Sequence, residues 1–217
     1  MTRQNVVRSG ETVFILTQND CQNSHDLAKA QQSSIDRNEF PFLTCCKSSK
    51  DHARDTVFNV CLEVGDVEKV TESVRKQGKT SQPILKETTV MGEMKKPSAQ
   101  YKCSVVQSPC GNVVHTLIET QARERQPFLP GFKPVPLTKP GDKLVEGGAL
   151  MTSLIDHVTY VCRSGETRGI LDWYSACFGM KRFLVNPTED LETGVEIGGD
   201  VGMRMTVGEW ISSWMCR

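Results

Sequence analysis

Four histidines have the widest chemical reach in this chain: His25, His52, His115 and His157. Near neutral pH an imidazole can act as a general base or as a metal ligand. His25 and His52 sit in polar loop sequence, which predicts solvated side chains. His115 lies in Val113-Val114-His115-Thr116-Leu117. It shares a strand face with Val113 and Leu117, which predicts a satisfied, partly buried ring. His157 stands in Ile155-Asp156-His157-Val158-Thr159-Tyr160, at the start of a predicted strand. Period two puts it on one face with Ile155, Thr159 and Val161. A histidine on the concave side of a curved sheet is well placed to ligate a metal, because strand-borne ligands are held more rigidly than loop-borne ones. A core histidine is the other reading of that position.

Other constellations are weaker. Cys21 and His25 have ligand-like spacing but no second pair, and adjacent Cys45-Cys46 would chelate under strain, so structural zinc is not expected. The chain has no phosphate-cradling G-x-x-x-x-G-K-[ST], no G-x-G-x-x-G and no G-x-S-x-G elbow. Glu189, Asp190 and Glu192 read as a solvated acidic loop. No residue qualifies as a catalytic acid, base or nucleophile, and substrate contacts are not readable. The nine cysteines form no C-x-x-C pair. They predict reduced, mostly buried thiols in an intracellular protein rather than a disulfide framework.

The elements that would position these residues read as strands punctuated by two helices, an α+β pattern. Val13–Thr17 is a predicted strand, followed by a long polar loop to Asp55 with one short helix at His25–Gln32. Phe58, Val60, Leu62 and Val64 alternate with polar residues and predict a strand. Asp66 then reads as an N-cap, Val67, Val70 and Val74 as a helix face, and Gly78 as its stop. Pro83–Thr89, Tyr101–Val106 and Asn112–Glu119 read as strands, the last two joined by the turn sequence Ser108-Pro109-Cys110-Gly111. Prolines crowd residues 127–140, which rules out a helix or a central strand there.

The pattern then restarts. Leu154–Cys162 is a predicted strand and Thr167–Phe178 an amphipathic helix. Ile170, Leu171, Tyr174 and Phe178 form its expected buried stripe, with Trp173 beside it and Gly179 as its stop. Lys181–Val185, Gly194–Ile197 and Met203–Val207 follow as strands. Strand–helix–strand–strand–strand thus occurs twice. The expected organisation is a first domain over 1–124, a Pro/Gly-rich linker over 125–153, and the first part of a second domain over 154–217.

Length and charge agree with this. At roughly 100–200 residues per domain, 217 residues make one full domain and part of another. Basic and acidic side chains number 26 each, so no excess charge draws the chain to nucleic acid. No apolar run approaches the roughly 20 residues of a membrane span, and Met1–Gly10 has no signal-peptide core.

Three stretches carry a family resemblance: Val6–Phe14, the linker segment Phe128-Leu129-Pro130-Gly131-Phe132, and Ile155–Cys162 with the following Gly165–Met180. They resemble the 4-hydroxyphenylpyruvate dioxygenase family of the vicinal oxygen chelate superfamily. The resemblance implies paired βαβββ modules, both incomplete here, the first lacking its opening strand and helix. It implies one Fe(II) held by two histidines and a glutamate, with His157 as the first ligand. The implied reaction uses 4-hydroxyphenylpyruvate and O2 with decarboxylation, forming 4-hydroxymandelate for the ubiquinone head group in mitochondria. Homogentisate formation in tyrosine catabolism is the alternative. No histidine follows His157, and Glu196 does not match the family's ligand motif. The chain is therefore expected to be a fragment of a longer enzyme, with a non-catalytic binding module as a further alternative and a homodimer as a possible assembly.

Overall fold

The computed structural model describes residues 2–9, 12–19, 56–77, 84–93, 96–111, 113–120, 132, 154–190, 192–197 and 202–209. The short helix expected at His25–Gln32, the linker apart from Phe132, and the tail from Trp210 lie outside the described residues. Among the described residues there are two helices and ten strands, an α+β content. The described residues fall into two compact units.

The first unit contains a hairpin of β1 (Thr2–Ser9) and β2 (Thr12–Asn19). The strands are antiparallel, with Val7 opposite Phe14 and Asn5 opposite Leu16. Gln4 donates to Thr17 Oγ1 across the pair at 3.1 Å. The strand expected at Val13–Thr17 is therefore longer and has a partner. Leu154–Tyr160 also belong to this unit.

The second unit opens with a full strand–helix–strand–strand–strand run: β3 (Asn59–Glu63), α1 (Val67–Lys76), β4 (Ile84–Glu93), β5 (Lys96–Gln107) and β6 (Val114–Thr120). The sheet order is β3-β6-β5-β4, with β3 parallel to β6 and the other pairs antiparallel. Val60 and Leu62 turn inward while Cys61 and Glu63 stay exposed, as the alternation requires. Asp66 caps α1 by accepting from Lys69 N at 2.8 Å. Glu119 accepts from Val67 N at 3.0 Å and ties the same helix end to β6. Val67, Thr71 and Val74 are the buried face of α1, so Thr71 takes the place expected for Val70. Between β5 and β6, Ser108 Oγ accepts from Cys110 N at 3.1 Å, and Gly111 takes a positive φ of 56°.

The second half of this unit holds α2 (Thr167–Phe178), β7 (Lys181–Phe183), β8 (Val195–Ile197), β9 (Met203–Met205) and β10 (Val207–Glu209). Gly179 ends α2 in the left-handed region at φ 70°, its N–H reaching Ser175 O at 2.9 Å. β7 pairs with β10 and β8 with β9, both antiparallel.

Three expectations are corrected. Leu154–Cys162 forms no strand among the described residues, and Val161 is 86% exposed. A strand needs a neighbour for its backbone N–H and C=O groups, and no described strand pairs with this segment, so its alternation has no face to bury. The second run thus begins at its helix. The buried stripe of α2 is Trp173, Tyr174, Cys177 and Phe178, with Ile170 and Leu171 only half-buried. The acidic loop is not uniformly solvated either, because the Glu189 carboxylate is buried against Arg182.

Candidate functional site

The residue with the strongest metal-ligand pattern, His157, lies before α2 in a segment without regular secondary structure and is exposed. Its Nδ1 is 2.8 Å from Asp156 Oδ2. A carboxylate only accepts, so Nδ1 carries a proton, and in the neutral ring the lone pair then stands on Nε2. Metal-bound histidines have this same arrangement: an outer carboxylate fixes the tautomer and the other nitrogen donates to the metal. The segment that holds His157 is not the strand expected for it among the described residues.

One imidazole is not a metal site. Among the described residues, no group of three His, Cys, Asp or Glu side chains is placed to hold a metal ion. Glu196, on β8, pairs with Arg204 at 3.5 Å instead. His157 fits one ligand position, and the described residues supply no complete set. His25, His52, Cys21, Cys45 and Cys46 lie outside the described residues.

His115 is placed as its pattern predicts. It is 1% exposed on β6, with Nδ1 3.0 Å from Val60 O and Nε2 2.7 Å from Tyr174 Oη. The Val60 carbonyl can only accept, so Nδ1 donates to it and Nε2 accepts the Tyr174 proton. Burial pushes its pKa below the ordinary imidazole value, with the Val60 carbonyl opposing in part. Trp173, Tyr174 and Phe178 ring it at centroid distances of 6.3, 5.6 and 6.1 Å. Cys177 is buried beside them on the same helix face, and burial pushes its thiol up to about 12. Cys110 is likewise raised to about 11. The described cysteines are all free thiols, three of the five buried.

A cleft of about 220 Å³ lies on the other side of α2, with Thr167, Leu171, Met180, Lys181 and Gly208 in its lining. Its rim carries the Arg168–Glu192 ion pair at 2.7 Å. A β-carbon at Gly208 would come 3.3 Å from Leu171 Cδ2, so the bare backbone keeps this cleft open. Sequence reasoning missed both ion pairs. Arg182–Glu189 and Arg168–Glu192 join residues of different elements, and nothing local in the sequence marks such partners.

No family model matches the chain. Among curated proteins, the 4-hydroxyphenylpyruvate dioxygenase-like protein of Rattus norvegicus is 32% identical over 158 residues, which is 71% of this chain and 38% of that protein. The protein of the same name from Mus musculus is 31% identical over 158 residues, and that from Homo sapiens 33% over 153. This chain is a relative of the 4-hydroxyphenylpyruvate dioxygenase-like proteins. It spans about 38% of the length of the first of them.

Proposed function

We propose that the chain is part of a non-haem Fe(II) dioxygenase built of paired βαβββ modules, with His157 as one iron ligand. The observation that carries this reading is the Asp156 carboxylate on His157 Nδ1, which in the neutral ring leaves Nε2 to donate. The relationship to the 4-hydroxyphenylpyruvate dioxygenase-like proteins supplies the reaction class. In this reading the other two ligands, a histidine and a glutamate, lie outside this sequence. The proposed domains are 1–124 and 154–217, joined by the linker 125–153. Bound ferrous iron would couple decarboxylation of the α-keto acid to hydroxylation by O2. Of this chain's residues, His157 would bind the iron and Asp156 would orient the ring. The proposed product is 4-hydroxymandelate, for ubiquinone head-group synthesis in mitochondria.

The test is made in the longer parent chain. His157→Ala should sharply reduce bound iron, read by elemental analysis, and abolish keto-acid-dependent O2 uptake. Unchanged iron content would remove His157 from the site. Mass spectrometry of the product separates benzylic from ring hydroxylation. A parent chain that binds no iron while remaining folded would leave the alternative, a non-catalytic module of the same fold.

A further inference from the structure

Among the described residues the hairpin of β1 and β2 is a sheet of its own, with no third strand on either side. Two strands alone are marginal in water, and a sheet with an apolar face gains independent stability from three strands upward. One face of the hairpin carries Val7, Phe14 and Leu16, each more than half exposed. Val6, Val13 and Ile15, on the other face, are half-buried. The two outer edges differ in charge. The sequence of β1 holds Arg3 and Arg8 and no acid. That of β2 holds no charged residue, no proline and no glycine. Charge and proline on an edge strand guard it against pairing with another chain, and β2 has neither guard.

We propose that β2 is the interface strand of a homodimer, its outer edge pairing antiparallel with β2 of a second copy of this chain to give one four-stranded sheet. The strand's own pattern points to a second copy as the occupant. Along a strand the backbone groups alternate between its two edges, so a two-fold axis relating two antiparallel copies passes through a residue. With the axis at Ile15, Ile15 meets the partner's Ile15, Val13 the partner's Thr17 and Phe14 the partner's Leu16. Directly opposite residues share a face, so the exposed pair Phe14 and Leu16 meets its equivalent, and half-buried Ile15 does the same on the other face. An axis at Phe14 would set Leu16 against the partner's Thr12, and an axis at Leu16 would set Phe14 against the partner's Gln18.

The same argument disfavours β1 as the interface. Pairing it with a second β1 would bring two arginines from each copy into one ladder with no carboxylate to meet them. In the dimer both outer edges are β1, so association stops at two copies instead of growing into a filament.

Sedimentation equilibrium of the full 217-residue chain tests this. The expected species over a concentration series is a dimer, with nothing larger. Phe14→Lys and Leu16→Glu each replace an exposed side chain, so the fold should survive, which far-UV circular dichroism checks. Each change occurs twice about the axis and should raise the dimer dissociation constant by about tenfold or more. Mixed in equal amounts, the two variants should form a heterodimer tighter than either homodimer. There the new lysine faces the new glutamate, while the other cross-strand pair keeps its Leu16 and Phe14. Replacing both arginines, Arg3→Thr with Arg8→Thr, should open the β1 edge and give species beyond the dimer. A monomeric wild type, folded variants that dimerise as tightly as wild type, or a mixture that forms no heterodimer would overturn the β2 interface. A wild type larger than a dimer, or a double arginine variant that stays dimeric, would overturn the guard assigned to β1.

Discussion

A carboxylate 2.8 Å from one nitrogen of an imidazole decides which nitrogen is left to donate. In the neutral form of His157 the lone pair then stands on Nε2, and Asp156→Ala should let that ring sample both tautomers. Both side chains are exposed, which weakens the bond, so metal affinity in the parent chain should fall by up to about tenfold rather than collapse. Titration with Co(II), followed optically, measures this, and an affinity unchanged from wild type would separate Asp156 from the site. Other thiols and rings are tuned the opposite way. Burial raises the Cys177 thiol to about 12, so its thiolate is scarce at neutral pH. Cys177 should resist iodoacetamide at pH 8 in the folded chain and react rapidly in urea, as peptide mapping would show. The roles of His115 and His157 were only partly legible in sequence. Strand parity placed His115 inward, but nothing near it in the chain marks Tyr174, 59 residues away, as its partner. For His157 the residue types are readable, while the lack of a strand partner for its segment among the described residues is not, because pairing depends on a neighbour.

At the scale of elements, caps and glycines reveal more than apolar runs. Asp66, Thr167–Phe178 and Gly179 stand where the sequence puts them, because side-chain capping and the left-handed stop act within a few residues. The face a helix buries is set by distant partners, which is why the stripe of α2 turns toward Trp173 and Cys177 rather than Ile170. Gly194 shows how tightly a short element can depend on one residue. It has φ 73°, and a β-carbon there would sit 2.3 Å from the Met205 carbonyl oxygen and 2.6 Å from Thr206 Cγ2. Gly194→Ala should therefore cost more than the roughly 1–2 kcal/mol of left-handed strain alone. Urea unfolding measures this cost, and a loss under 1 kcal/mol would mean that β8 and β9 part easily.

At the scale of the molecule, the described core has two parts. Leu117, Val105 and Val106 line the sheet, and the aromatic face of α2 packs around His115. Phe178 sits 5.4 Å from Trp173 and 5.9 Å from Tyr174, centroid to centroid. Phe178→Ala should lower stability by about 3–5 kcal/mol, with the denaturant slope unchanged if the rest stays native. A loss below 1 kcal/mol would mean that α2 contributes little to the cooperative unit. The α+β content and the first five-element run were readable from periodicity and turn chemistry. The second run was readable only from its helix onward, because its opening segment has the alternation of a strand but no neighbour to pair with among the described residues.

In the sheet order β3-β6-β5-β4, the first strand of the run lies beside the last. Val60 and His115, opposite one another, are 55 residues apart in the chain. A ribosome releasing this protein would expose β3 and then keep it waiting while α1, β4 and β5 emerge. Its hydrogen-bonding edge finds its mate only when β6 arrives. During that interval a chaperone, or another nascent chain, has its clearest chance to bind there.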